Sequence, residues 1–307
     1  MDNISSAVEA AGKKLTSIEC RLDEPMKYHT SFGIGGPLRA MFFPQNKEDL
    51  ASLCELLHMY EITPLIIGNG TNILADDSGS LEMVAVKTAG IDSVEQTGDT
   101  EITAGAGISL SSLAVFAREC GLTGFEYAHG IPGSLGGAVS MNAGAYGREM
   151  KDVVKSTDAF SNEAGIYTVK GAEHGFSYRR SIFTDISDII ISSVICLQKC
   201  SKKSIAAKME ELCAKRCESQ PLELPNAGST FKRPENGYAA TLIEQAGLKG
   251  FTIGGAQVSS KHAGFVVNSG GATFKDIMAV IEHVRAAVFE KFGISLEPEI
   301  KIIKAGH

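Results

Sequence analysis

"HGIPGSLGGAVSMNAGAYG", residues 129–147, is the stretch on which the fold of this chain turns. It holds six glycines and almost no charge. Glycine loses more conformational freedom on folding than any other residue, so this density is costly unless the backbone must come close to something. That something is either the protein's own backbone or a ligand. A second stretch, "GNGTN" at 68–72, follows the apolar run "TPLIIG" and offers two glycines for a tight turn, with Thr71 and Asn72 as polar partners. It is neither G-x-G-x-x-G nor a Walker A loop, and alone it reads as a turn. Together the two stretches read as a glycine-lined cradle for a dinucleotide.

Working outward, residues 39–74 form a β-α-β unit. "RAMFF" is a strand, and Leu50, Leu53, Cys54 and Leu57 recur at helical spacing. "TPLIIG" is the second strand. "EMVAVKT" and "VEQTGDTEITAGAG" follow as short strands, and Ser109 caps a helix closed by Gly121. Beyond the glycine-rich stretch, "GIYTVKG" and "DIIISSVICLQK" are strands around the turn-like "FSYRRSIFTD". A separate α/β section spans 201–295. It holds a helix at 202–218 with Ile205, Met209, Leu212 and Cys213 inward, a possible helix "YAATLIEQAG", the strand "AGFVVN", and a helix from Thr273 to Phe292 stopped by Gly293. "LEPEIKII" is the last strand.

Composition narrows the function. The chain has 307 residues and a net charge of −7, which argues against nucleic acid or an anionic membrane as a partner. Residues 1–20 hold acids and no apolar core of a signal peptide, so a cytoplasmic protein is expected. Seven cysteines without an export signal do not suggest a disulfide framework. Cys196, Cys200, Cys213 and Cys217 form a C-x3-C pair of pairs, but they fall at helix and strand-end positions and read as small core residues rather than as zinc ligands. No metal is expected.

One further loop stands out. "NAGSTFKRP", 226–234, sets Ser229 beside Lys232 and Arg233 between two helical stretches. An N-cap is the ordinary use of such a serine.

These motifs, in order, resemble the UDP-N-acetylenolpyruvoylglucosamine reductases, of the shorter subclass, within the vanillyl-alcohol-oxidase-like flavoproteins. "HTSFGIGG", "GNGTN", the 129–147 stretch, "YRRSIF" at 178–183, "NAGSTFKRP" and "LEPEI" at 296–300 carry the resemblance, which covers about residues 29–304. It implies an α+β fold: a two-part FAD-binding module of the vanillyl-alcohol-oxidase type plus a separate α/β substrate-binding domain. Residues 1–87, with the returning strand 296–307, and 88–200 would be the FAD-binding parts, and 201–295 the substrate domain. It implies non-covalent FAD, held by Gly68, Asn69, Gly70, Thr71 and Asn72 and by Gly130, Pro132, Gly133, Ser134, Gly136, Gly137, Asn142, Ala143 and Gly144. His29 is not expected to attach the flavin. NADPH would be the hydride donor and UDP-N-acetylglucosamine enolpyruvate the acceptor, on a monomer.

By the same resemblance Ser229 is the proton donor. A serine hydroxyl keeps its proton at pH 7 where a carboxylic acid ordinarily does not. Arg179 and a glutamate of "LEPEI" would stabilise the charge that develops on the substrate. Strand periodicity puts Glu297 and Glu299 on one face and does not separate them; the family pattern selects Glu299. Tyr178, Arg216, Lys232, Arg233, Gln257 and His262 are the expected substrate contacts, with Arg180 and Lys261 as further candidates for the UDP phosphates. Two other functions fit the glycine loops: a flavin oxidase of an alcohol or hydroxy acid, and a non-enzymatic flavin-binding redox sensor. Neither needs Arg179, Ser229 and Glu299 together.

Overall fold

The computed structural model describes residues 2–235 and 237–305. Met1, Asn236 and residues 306–307, which fall inside the domain ranges above, lie outside it. The chain divides into two compact units, one of residues up to 22, 40–69 and 83–214, the other of 23–39, 70–82 and 215 onward. The three-part reading is drawn differently: it sets 23–39 and 70–82 with the N-terminal flavin part. The returning C-terminal strand accounts for the placing of 70–82. Lys301–Ile303 pairs in parallel with Ile73–Ala75 and gathers that segment into the second unit.

Seven helices are described: α1 (Asn3–Lys14), α2 (Lys47–Met59), α3 (Leu110–Glu119), α4 (Leu135–Ser140), α5 (Lys202–Ser219), α6 (Ala239–Gln245) and α7 (Phe274–Phe292). In the first unit a five-stranded antiparallel sheet runs in the order Gly165–Lys170, Val154–Ser161, Ile189–Cys196, Glu101–Gly105, Val94–Gln96. Its core joins Ile102, Ala104 and Ile195 to Leu110 and Leu113 of α3 and Leu135 and Val139 of α4. A second cluster packs Leu50, Leu53 and Leu57 of α2 against Ala7 and Ala11 of α1 and against Phe42, Val84 and Val86. The Asn46 side chain caps α2 by accepting the Asp49 N–H at 2.8 Å.

The second unit is built on α7. Thr273 and Asp276 form a capping box at its start, and Gly293, at φ +67°, ends it. Ile277, Val280, Ile281, Val284 and Val288 are buried in the same core as Ala256, Val258 and Val266 of a three-stranded sheet. Each of these isoleucines and valines contributes about 1.5–3 kcal/mol by leaving water.

Two expectations change here. On α5 the buried stripe is Ile205, Met209, Leu212 and Arg216, whereas Cys213 is exposed. Cys196, Cys200 and Cys217 are exposed as well, so these four cysteines are surface residues and not core. "LEPEIKII" is a ladder strand only from Lys301; Pro298 makes an isolated bridge with Phe231.

Candidate active site

In the first unit the glycine-rich stretch is laid against the segment before α3 by its backbone. Leu110 N–H donates to the Gly133 carbonyl at 2.9 Å, Leu135 N–H to Ile108 at 3.0 Å and Gly136 N–H to Ala106 at 2.8 Å. The packing explains several glycines without a ligand. A Cβ on Gly136 would stand 2.9 Å from that of Ala106, and one on Gly144 would overlap the Arg148 carbonyl oxygen across a short hairpin. Gly68 and Ser134 bring the two glycine stretches together: a Cβ on Gly68 would overlap the Ser134 hydroxyl and lie 3.1 Å from its Cβ. Ser134 is buried at the N-cap position of α4, yet its side chain makes no capping bond. Among the described residues the Nδ1 of His129 is buried with no hydrogen-bond partner. Gly130 and Gly133 are half-buried, Pro132 and Gly137 exposed, and Ala143 buried. Asn142, expected at the cofactor, is fully buried, and its side chain is bonded to the protein on all sides.

Arg179 lies at the tip of a tight turn closed by two bonds between Ser177 and Arg180. Its φ is +55°, a left-handed conformation uncommon for a residue with a Cβ. The guanidinium carbon stands 5.2 Å from the centroid of the half-exposed Tyr178 ring. Arg180 points elsewhere, pairing with the exposed Asp185 at 2.7 Å. The base of this loop is anchored by His174, which is fully buried and stacks on Phe176 at 4.7 Å. Its Nδ1 faces the Gly171 carbonyl and so carries the proton, leaving Nε2 to accept from Thr157 Oγ1 at 2.9 Å. Burial lowers the pKa of this imidazole.

In the second unit the loop of Ser229 is pinned on both sides of the serine. Asn226 Oδ1 accepts the Gly228 N–H at 2.9 Å, with Gly228 at φ +76°. Thr230 N–H donates to the Gly264 carbonyl at 2.8 Å, and its hydroxyl accepts the Val266 N–H at 2.9 Å. Ser229 itself is half-buried, and its hydroxyl has no hydrogen-bond partner among the described residues. No helix begins here; α6 starts at Ala239, so the N-cap use is excluded. Alongside runs the 297–299 segment, whose Glu299 N–H donates to the Thr230 carbonyl at 2.8 Å. The two glutamates now separate. Glu297 is exposed and ion-paired to Lys232, while Glu299 is half-buried, its backbone carbonyl held by Asn72 Nδ2 at 3.2 Å.

Gly70, at φ +67°, fits only because it lacks a Cβ, which would overlap the His29 carbonyl oxygen. Asn69 is exposed and Thr71 half-buried. His29 Nε2 faces Glu24 at 2.8 Å. Of the expected substrate contacts, Arg216 is buried, Arg233 lies over the Tyr238 ring at 4.2 Å, and Gln257 bonds Thr252 across a hairpin at 3.0 Å. His262 Nδ1 accepts the Gly264 N–H at 3.1 Å, and burial lowers its pKa. Lys261 is bonded to the Cys217 carbonyl at 2.6 Å.

Residues 38–170 match the model of an FAD binding domain, and residues 220–303 match that of the UDP-N-acetylenolpyruvoylglucosamine reductase C-terminal domain. A UDP-N-acetylenolpyruvoylglucosamine reductase of Caldanaerobacter subterraneus subsp. tengcongensis is 49% identical over 282 residues, covering 92% of this chain and 93% of its own. The chain belongs to the UDP-N-acetylenolpyruvoylglucosamine reductase family. The Clostridioides difficile reductase is 44% identical over 94% of this chain and 95% of its own. The crystal structure of the Thermus caldophilus reductase superposes with a TM-score of 0.79 at 31% identity, over 93% of this chain and 98% of that one.

The chain is therefore an oxidoreductase with an FAD-binding domain and a family-specific C-terminal domain. The first unit fits the cofactor on its own evidence. Two backbone stretches meet at Gly68 and Ser134, leaving no space for a side chain. An uncapped, buried hydroxyl and an orphaned imidazole nitrogen lie on one of them. Sequence reasoning passed over His129, whose signal is that it is the one imidazole in the run. Among the described residues no group of three or more His, Cys, Asp or Glu is placed to hold a metal ion.

Proposed function

We propose that this chain performs the reaction its family is named for, the reduction of UDP-N-acetylglucosamine enolpyruvate to UDP-N-acetylmuramate for cell-wall precursor synthesis. FAD, when bound, supplies to the enolpyruvyl double bond the hydride it takes from NADPH. Gly68, Gly70, Ser134 and His129 are the residues proposed to hold it. The protein's own share is the proton and the charge. Hydride addition at the terminal carbon moves the double-bond electron pair to the carbon bearing the carboxylate, which becomes an enolate and must be protonated. Ser229 gives that proton from its hydroxyl, and solvent restores it. Arg179 presents a planar fork of donors to the carboxylate as charge spreads onto it, and Glu299 joins it in stabilising the enolate when, in its acid form, it donates a hydrogen bond. Tyr178, Arg216, Lys232, Arg233, Gln257 and His262 remain the proposed contacts to the sugar nucleotide. The reading places the reaction in the cytoplasm; no helix among the described residues is long and apolar enough to cross a membrane.

One observation carries the catalytic reading. The Ser229 hydroxyl is half-buried and unemployed between two anchored neighbours. Such a group is held in place and free to donate. The test separates the half-reactions. Ser229→Ala should leave flavin bleaching by NADPH within about twofold of wild type. It should slow reoxidation by the sugar nucleotide by ~10²-fold or more, as expected for loss of a general acid. Reoxidation at the wild-type rate would remove Ser229 from the mechanism.

A further inference from the structure

The turn that presents Arg179 is fastened to one short helix on both flanks, and a single buried amide makes the fastening on one of them. Asn142 is fully buried. Its Nδ2 donates to the Ser177 carbonyl at 2.9 Å and to a Glu149 carboxylate oxygen at 3.0 Å, so both amide protons are used. Its Oδ1 accepts the Lys151 N–H at 3.0 Å. On the other flank the Ser140 carbonyl accepts hydroxyl protons from Ser181 at 2.6 Å and Thr184 at 2.9 Å. Ser140 ends α4 and Asn142 stands two residues beyond it. The same helix begins at Leu135, directly after the Ser134 that meets Gly68 in the cofactor cradle. A rigid six-residue segment thus runs from the cradle to both sides of the arginine turn.

The backbone shows why fastening is needed. Arg179 at φ +55° and Asn142 at φ +45° both occupy the left-handed region. Asparagine tolerates it; for arginine it is a strained state that persists only where the surroundings impose it. Ser177 and Arg180 close the turn, but two bonds across four residues do not fix its direction. The Asn142 bond to the Ser177 carbonyl on one flank and the Ser140 bonds on the other fix it together.

We propose that Asn142 is a positioning residue for Arg179, locking the arginine turn to the cofactor cradle through α4. The proposal rests on the reading of Arg179 as the clamp on the substrate carboxylate. The guanidinium then meets the developing charge without reorganising, which is the condition under which fixed donors are most effective. This replaces the cofactor contact expected from the motif: the Asn142 amide has no proton left to offer a ligand.

The experiment uses the FAD-loaded protein and compares Asn142→Gly, Arg179→Lys and the double variant. Glycine accepts the positive φ at 142, so the substitution removes the amide and leaves the backbone state available. Flavin reduction by NADPH and FAD affinity should stay within about twofold of wild type. Flavin reoxidation by UDP-N-acetylglucosamine enolpyruvate should slow ~10-fold or more. The flavin absorbance change on adding that substrate should saturate at higher concentration. In the Arg179→Lys background, Asn142→Gly should slow reoxidation by no more than about twofold, because the residue it positions is already lost. An equal slowing in both backgrounds, or equal slowing of the two half-reactions, would overturn the proposal. If Arg179→Lys slows reoxidation and Asn142→Gly does not, the clamp stands and the positioning role falls. If Arg179→Lys has no effect, the clamp reading falls first and the proposal with it. Should Asn142→Gly lose its flavin or fold poorly, Ser181→Ala with Thr184→Val releases the other flank of the same turn. Reoxidation at the wild-type rate in that folded variant would sink the proposal.

Discussion

Gly68→Ala is the sharpest test of how the two glycine-rich stretches meet. The added Cβ would overlap the Ser134 hydroxyl oxygen and lie 3.1 Å from the Ser134 Cβ. Ser134 is 2% exposed, so its side chain has little room to turn aside. Overpacking of this kind costs about 1–3 kcal/mol. For a folding unit of this size each kcal/mol lowers the melting temperature by about 2–4 °C. Gly68→Ala should therefore melt several degrees below wild type, with and without FAD. The structure makes a second demand. Removing the hydroxyl abolishes the overlap, and what remains is a 3.1 Å carbon–carbon approach that a small shift relieves. Ser134→Ala alone should change the apoprotein's melting temperature little, and Gly68→Ala with Ser134→Ala should recover most of the loss. Such recovery is a coupling that independent sites would not show. The assay is thermal unfolding of all four proteins, first stripped of FAD and then saturated with it. A double variant melting no higher than Gly68→Ala would refute the close approach, and with it the argument that the two motifs share one cradle.

Gly70→Ala should be harsher and beyond rescue by a neighbouring side chain. The clash there is with the His29 backbone carbonyl and φ is +67°, so purified protein should hold little FAD; full yellow protein of normal affinity would sink the argument. His174 is neutral in the fold because burial lowers its pKa, so the unfolded chain binds the extra proton. Stability should fall as pH drops below the ordinary imidazole value of about 6.5 toward the folded pKa. His174→Phe should flatten the urea-midpoint change between pH 7 and pH 5.5. It should not abolish it, since His262 is shifted the same way; an unchanged slope would clear His174. Dialysis against a strong chelator should leave turnover unchanged, and a loss restored by zinc would return the cysteines to the site.

Much of the scaffold was legible because its signals are local. In α2 and α7 the apolar positions recur at helical spacing, in α7 up to a glycine stop, and the structure buries those faces. α1 went unread because its fully buried face is Ala7 and Ala11, too small to stand out against the polar positions. On α5 the apolar count admitted Cys213 at the edge of the stripe and missed Arg216, which continues the 205, 209, 212 series at helical period. "LEPEIKII" alternates like a strand, but Pro298 has no N–H to give a ladder, and regular pairing waits until Lys301. The glycine stretches were read as a ligand cradle, and at Gly136 and Gly144 the packing of the chain on itself suffices to require glycine. Composition cannot distinguish these cases, since both demand the same missing side chain.

Ser229 shows what the hydrogen bonds add to the residue type. Four other serines and threonines at turns and helix starts are employed. Ser109 accepts the Ser112 N–H at 3.0 Å, Ser161 that of Ala164 at 2.9 Å, Ser259 that of Lys261 at 3.1 Å and Thr273 that of Asp276 at 3.2 Å. Each holds the backbone around it, and each would cost stability if replaced by alanine. Ser229 inverts the relation: Gly228 and Thr230 are held by others, no helix starts at the serine, and its hydroxyl holds nothing among the described residues. A serine whose surroundings fix it while its own bonds stay open contributes little to folding. Ser229→Ala should accordingly leave the melting temperature near that of wild type, which makes any loss of turnover attributable to the hydroxyl. A large fall in stability would mean that the serine serves the loop, and the proton donor would have to be sought elsewhere.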